Sequence, residues 1–407
     1  MSHLLPSAAS WFPGHMATFT RQLPALLAQA HVVLEVRDVR LPLTSINPTL
    51  ESALQKWKKG REASGGGVCE RIVVYSKRDL ISGGEEALRN ALSKHFDHRT
   101  HFNSNAYPRD IHDLQSTLVS IAKDNAEVAP TLNVLVVGMP NMGKSTLLNS
   151  LRWAGMNNAT KAMRTSALPG LTQKTSERLK LCHNPPIYAV DSPGVMVPFL
   201  GRGNEGRERA FKLALIAGMK DSLYDDEALS AYLHYKLNRL NPSKPAYLSL
   251  YPTSIPEAPT DSIEEFLDIL SHRLNARLRG DEPDIKRTAK WFLKWWREGG
   301  ATKAPMTHGW GFDFDFRVRK PQSPEDVDGE SPVEFVVDDN GREVLQEGTL
   351  EEKMEREVNR FVKEVLDTGE NARGFGTSVT RERQIERAEK RKARDEKRQR
   401  KRAEPRR

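Results

Sequence analysis

Long apolar runs are missing from this chain. No stretch approaches the ~18–20 residues that a membrane-spanning helix requires, so the sequence gives no support to an integral helical membrane function. Cysteine is nearly missing as well. Cys69 and Cys182 have no metal-ligand spacing, and they point to a reducing compartment without a disulfide framework. Excess positive charge is missing from most of the length. Residues 381–407 hold 14 Lys and Arg against 6 Asp and Glu, which equals the whole net charge of +8, and the first 380 residues balance. With one large apolar residue, Ile385, in Arg381–Lys401, that tail cannot build a core. It reads as a solvated helix or a disordered segment that attracts RNA phosphates, or alternatively as a solubilising tail or a cryptic localisation signal.

What is present begins with residues 133–148, an apolar strand, a glycine-rich loop and a helix start. Gly138, Gly143, Lys144 and Ser145 fit the pattern G-x-x-x-x-G-K-[ST]. Glycines let backbone amides approach phosphates closely, and the helix N-terminus adds its dipole. Lys144 is expected to reach the β- and γ-phosphates and Ser145 to help hold Mg²⁺. Asn141, Met142, Gly143 and Thr146 complete the loop's nucleotide contacts. Downstream, Pro186–Val190 reads as a buried strand ending in Asp191-Ser192-Pro193-Gly194. Asp191 is a second candidate for Mg²⁺, and the Gly194 amide for the γ-phosphate. Asp-Ser-Pro-Gly is also an ordinary turn signature. Between these motifs, Thr172 in Leu168–Thr172 is the candidate switch threonine for Mg²⁺, unless that segment is a plain proline–glycine turn. Stretch 154–175 suits a segment that orders on nucleotide binding.

The best guanine-reading candidate, Ser76-Lys77-Arg78-Asp79, lies upstream of the loop, after the apolar run Arg71–Tyr75. Asp79 can accept from guanine N1 and N2, and the Lys77 stem can cover the ring. Ser76 stands where Asn is usual. Asn103 and Ser104 lie in a strand-like piece, Thr100–Asn105, that could flank the base.

Taken together, these residues resemble the circularly permuted GTPases of the ribosome-assembly family typified by bacterial RbgA/YlqF, and within it the mitochondrial branch. Trp11–Met16 matches the family's N-terminal signature, Asp38–Thr44 a second segment, and Leu213–Asp221 the opening of its C-terminal helical domain. The resemblance implies a GTPase that binds the large ribosomal subunit precursor and its rRNA, hydrolyses GTP to GDP and phosphate, and resides in the mitochondrial matrix, with peripheral association to the inner membrane as an option. It also implies a role for His15 toward water, because Val195 occupies the position where many GTPases carry a water-orienting Gln. An imidazole can orient or deprotonate water; the other reading is that His15 packs the Pro13-Gly14 turn. Asn141 matches a position associated with bound K⁺, or is a turn asparagine. A non-catalytic RNA-binding scaffold with structural nucleotide stands as the second functional reading.

Targeting is carried mainly by the resemblance. No Asp or Glu precedes Glu35, as in transit peptides, but Arg21 is the single Lys or Arg of that stretch. If Trp11–Met16 is functional, a cleaved leader is limited to about ten residues; an uncleaved signal around Phe19–Ala30 is the other option.

Strands alternating with helices predict an α/β fold: a circularly permuted P-loop GTPase domain with a mostly parallel sheet over 1–205. A helical RNA- or ribosome-binding domain is expected over 206–319, a linker with a hairpin and a helix over 320–380, and the basic tail over 381–407. Pro24 disturbs the helix expected over Ala17–Ala30. Ala289–Trp296 mixes aromatics with lysines and reads either as an RNA-stacking surface or as core with snorkelling lysines. Asn340-Gly341 marks the hairpin turn, and Thr349 with Glu352 a capping box.

Overall fold

The computed structural model describes residues 14–65, 67–81, 83–156, 178–197, 200, 203–241, 244–253, 258–303, 312–314, 317–318, 332–337, 343–346 and 349–367. Trp11–Pro13, Thr172 and its neighbours, the Asn340-Gly341 turn and the basic tail lie outside them.

Six strands form one sheet in the spatial order β3-β2-β1-β4-β6-β5. They are β1 (Val32–Asp38), β2 (Glu70–Ser76), β3 (Arg99–Asn103), β4 (Leu132–Gly138), β5 (Leu179–Cys182) and β6 (Ile187–Asp191). All neighbours run parallel except β5, which is antiparallel to β6. Every residue of β1 is buried, as expected of a central parallel strand covered on both faces. One face carries α1 (Gly14–Gln29), α2 (Pro48–Ala63) and α3 (Glu85–Ser93); the other carries α4 (Pro108–Asp124) and α5 (Lys144–Gly155).

Helix α1 runs straight through Pro24. Met16, Phe19, Leu23 and Leu27 are buried at helical spacing. Burying four such side chains, at about 1.5–3 kcal/mol each, outweighs an interior proline, which costs about 3 kcal/mol.

Beyond β6 come α6 (Gly203–Leu215), α7 (Asp226–Leu240), α8 (Ile263–Arg273), α9 (Ile285–Arg297) and a single turn, α10 (Gly300–Lys303). Their core centres on Phe266, which packs against Tyr247 and Phe292 at ring-centroid distances of 4.8 and 4.7 Å. Helix α9 decides between the two readings of its aromatic stripe. Phe292, Leu293 and Trp296 are buried while Lys290 and Lys294 are exposed, so this stripe is core. The apolar cluster is continuous from the α4–α5 face of the sheet into these helices, through Met139, Met142, Met196 and Met219.

A short β7 (Arg317–Val318) joins the hairpin of β8 (Pro332–Val337) and β9 (Glu343–Gln346). The expected capping box at Thr349 and Glu352 is present and opens α11 (Leu350–Phe361). Helix α11 returns to the sheet domain and packs on α3, burying Met354 and Val358 in the cluster that holds Leu88 and Leu92. No helix among the described residues is long and apolar enough to cross a membrane.

Candidate active site

The phosphate loop connects the carboxyl end of β4 to α5. Gly138 has φ +145°, and a Cβ there would lie 2.3 Å from the Val36 carbonyl oxygen of β1, so the strand end tolerates only glycine. Gly143 caps α5 with φ +91° and no side-chain capping bond, leaving the helix terminus to offer its amides and dipole to an anion. Lys144 is buried, and its Nζ donates to the carbonyls of Gly138 (3.3 Å) and Met139 (2.8 Å). Burial lowers its pKa to about 8, against the opposing pull of Asp191.

Asp191 ends β6 beside this loop. The Ser145 hydroxyl donates to its Oδ2 at 2.7 Å, so two hard oxygen donors meet, a set suited to Mg²⁺. Burial raises the Asp191 carboxyl, with Lys144 pulling it back. The turn that follows is locked to the loop. A Cβ on Gly194 would come 2.7 Å from Pro140 Cα, and Val195 N donates to the Gly138 carbonyl at 3.1 Å. The Val195 side chain is buried in the α1–α2 cluster and cannot hold water.

The four-residue motif after β2 reaches the same loop from the other side. The Ser76 hydroxyl, buried, donates to the Met142 carbonyl at 2.7 Å and sits 3.1 Å from the Arg37 carbonyl. Lys77 takes a left-handed conformation (φ 61°) and donates to Asn141 O at 3.2 Å and Asp38 Oδ2 at 2.8 Å. Asp79 accepts a short hydrogen bond from the Ser104 hydroxyl, which joins the two predicted base-flanking segments. Asn103 pairs in register with Ser76 and is buried. Arg78 turns aside, pairing with Asp110 at 2.8 Å and lying over the Tyr107 ring.

His15 begins α1 next to Met16, whose sulfur accepts from Met196 N of the Asp191 turn at 3.5 Å. The imidazole Nε2 is buried without a hydrogen-bond partner. Burial, and then the charge of Lys220, push its pKa below 6.5, so the ring is neutral at pH 7. Asn141 is left-handed (φ 59°) and its amide nitrogen donates to the Ala217 carbonyl at 2.7 Å. Thr146 sits half-buried in the first turn of α5.

The elements of a phosphate-loop GTPase are therefore neighbours in space while their chain order is rotated: β1–β3, with the base-reading end, precede β4 and its loop. The chain is similar to known proteins. A family model described as "50S ribosome-binding GTPase" matches residues 133–240. Mitochondrial GTPase 1 of Schizosaccharomyces japonicus is 30% identical over 71% of this chain and 87% of its own length. This chain belongs to the mitochondrial GTPase 1 family. A mouse relative, named mitochondrial ribosome-associated GTPase 1, is 30% identical over 57% of this chain and 67% of its own. A crystal structure of GNP-bound YlqF from T. maritima aligns with TM-score 0.43 at 20% identity, covering 70% of this chain and 95% of that one. The chain is accordingly a GTPase, and a GTPase domain of this kind works with a divalent metal such as Mg²⁺.

For a member of the mitochondrial GTPase 1 family, three groups around the site have contacts that the sequence reading did not foresee, although Asp38 and Arg40 lie in the segment it singled out. Asp38, fully buried, is gripped by Arg40 through two side-chain bonds of 2.9 and 2.8 Å while it holds Lys77. Arg40 in turn lies 4.7 Å from the Trp296 ring of α9. Asn47 caps α2 and donates to the Val195 carbonyl at 3.1 Å. Asp313 accepts from the amides of Leu43 (2.8 Å) and Thr44 (2.7 Å). The buried-charge pattern Glu35-x-Arg37-Asp38 inside an apolar strand was the signal available for the first of these.

Proposed function

We propose that this chain is a GTP-hydrolysing assembly factor that binds the large ribosomal subunit precursor in mitochondria, on the matrix side, and couples hydrolysis to late maturation and its own release. The observation that carries this reading is the phosphate-loop and base-reading geometry lying beside a switch turn that lacks its own water-orienting group. Val195 is apolar and buried, whereas His15 presents an unpartnered Nε2 on the helix whose Met16 contacts the same turn. Such a site turns over slowly alone and is completed by a partner.

In this mechanism Asp79 and Lys77 select guanine, with Ser76 in the place of Asn tying their loop to the phosphate loop. Gly138 and Gly143 let loop amides face the phosphates, and Lys144 supplies positive charge. Ser145 and Asp191, with Thr172 from the segment between them, would hold Mg²⁺, which when bound would supply charge neutralisation at the phosphates. Asn141 takes a place at a K⁺ site. His15, neutral at pH 7, orients or deprotonates the attacking water. Residues 206–319 then act as the ribosome-facing domain, tied to the loop at Asn141 and Ala217. The names of the relatives support the mitochondrial and ribosomal parts of this reading.

The test is phosphate release from GTP in K⁺ or Na⁺, with and without purified large ribosomal subunits, comparing the full chain with His15→Ala. Stimulation by subunits and K⁺ that disappears in the variant is expected. Nucleotide binding without stimulation under any condition would replace this reading with a scaffold that holds nucleotide structurally.

A further inference from the structure

At the amino ends of the parallel strands, a strand length of about 23 Å from the phosphate loop, lies a cavity of about 390 Å³. The carboxyl end of α1, Asn133 of β4 and Tyr188 of β6 form part of its wall. Two guanidiniums line it: Arg61 from the last turn of α2, and Arg178 just before β5. No Asp or Glu does.

The partners of these cations are neutral. Arg61 Nη2 donates to the carbonyls of Ala28 (2.6 Å) and Ala30 (3.1 Å). Arg178 Nη2 donates to Asn133 Oδ1 at 2.6 Å, and its guanidinium lies 4.6 Å from the Tyr188 centroid. Lys180 Nζ adds a third charge 5.5 Å from the same ring. The field reaches His31, whose pKa burial and then Arg61 push below 6.5. The aromatic ring and the amide fix the cations in place without neutralising them.

We propose that this cavity binds one nucleotide of single-stranded RNA, with its phosphate between Arg61 and Arg178 and its base beside Tyr188. Planar guanidiniums match phosphate oxygens in paired geometry, and an aromatic ring among cations is the usual platform for an unpaired base. The volume falls within the range of small-ligand pockets and is of the size of a single splayed nucleotide. Arg61 also holds the carboxyl end of α1, whose other end, about 24 Å away, carries His15. RNA held here restrains that helix. This inference rests on the reading of the chain as a ribosome-bound GTPase.

The experiment titrates a fluorescent single-stranded RNA with the full chain over a range of salt, comparing wild type, Arg178→Glu and Arg178→Lys. The basic tail is common to all three, so the difference isolates the cavity. Arg178→Glu is expected to weaken binding roughly 10-fold and to lower the salt slope by about one. Arg178→Lys should fall between, and all three should bind GTP equally, as a check on folding. Ultraviolet crosslinking should place an RNA adduct on Tyr188. Wild-type affinity and slope in Arg178→Glu would overturn the inference, and undiminished GTPase stimulation by subunits in that variant would leave the assembly reading standing. Equal competition by uridine monophosphate and by RNA would also overturn it, in favour of a small-nucleotide site. A wild-type chain that binds no RNA and responds to no subunit would sink both.

Discussion

Ser76 and Met142 join the two halves of the nucleotide site: the Ser76 hydroxyl at the tip of β2 donates to the Met142 carbonyl in the phosphate loop at 2.7 Å. The shorter side chain thus still reaches the loop from a strand that lies two positions away in the sheet. Ser76→Ala removes this donor, and a lost internal hydrogen bond costs about 1 kcal/mol. Guanine nucleotide affinity should fall about 5-fold, measured by fluorescent GDP titration. Asp79→Asn should instead switch preference toward xanthine nucleotides. Unchanged guanine preference in that variant would remove Asp79 from base recognition.

Lys144 links pH to nucleotide binding. Its pKa is lowered to about 8, so the charge that meets phosphate is present below that pH and lost above it. GTP affinity should hold between pH 6.5 and 7.5 and weaken as pH rises through about 8. Isothermal titration in two buffers of different ionisation enthalpy should show proton uptake on binding near pH 8. Lys144→Ala should lose about 10–100-fold in affinity at pH 7.

His15 predicts a separate pH limb. Its pKa lies below 6.5, so the neutral ring persists through pH 7. At saturating GTP, subunit-stimulated hydrolysis should be flat from pH 7 to 7.5, below the Lys144 limb, and its His15 limb should fall only below 6.5. His15→Gln should lower turnover by about 10²–10⁴-fold with GTP affinity intact; an equal loss of both would assign His15 to packing.

Asp313 ties residues far apart in the chain. It accepts from Leu43 N and Thr44 N and is buried. Asp313→Ala leaves two amides without an acceptor, at a cost of about 1–3 kcal/mol. Urea unfolding should shift to lower midpoint with an unchanged slope.

Acid should unfold the sheet domain through Glu35. Arg37 and Arg71 hold this buried carboxylate at about 2, overcoming burial. A depressed carboxylate contributes stability that is complete above its unfolded value near 4.5 and lost as pH falls toward 2. Glu35→Gln should flatten the loss of stability between pH 4.5 and 2 in circular dichroism melts.

The parts legible in the sequence were those that chemistry confines to a few contiguous residues. Gly138 and Gly143 are forced by backbone angles, Asp191 by its place at a strand end, and Thr349 with Glu352 by helix capping. The amphipathic helices announced themselves through apolar spacing. The rest depends on residues that only the fold brings together. Glu35, Arg37, Glu51 and Arg71 come from β1, α2 and β2 and form one buried ion network, with Arg71 Nη2 2.6 Å from Glu35 and 2.5 Å from Glu51. Each alone reads as a surface charge. Pro24 misled in the opposite direction, because a helix-breaking signal says nothing of the tertiary burial that overrides it.

Helix α11 closes the α3 face of the sheet domain, and it is made late. While the chain is being translated, Leu88 and Leu92 emerge early beside Val73, Tyr75 and Phe102 of their cluster, and its last members, Met354 and Val358, arrive only when α11 has left the exit tunnel. The α3 flank of the guanine-reading half therefore waits without that last cover through the synthesis of the phosphate loop and of all the helices from α6 to α10. A message cut short before codon 350 yields a product whose nucleotide motifs are intact but whose flank is sticky, a natural substrate for chaperones and proteases.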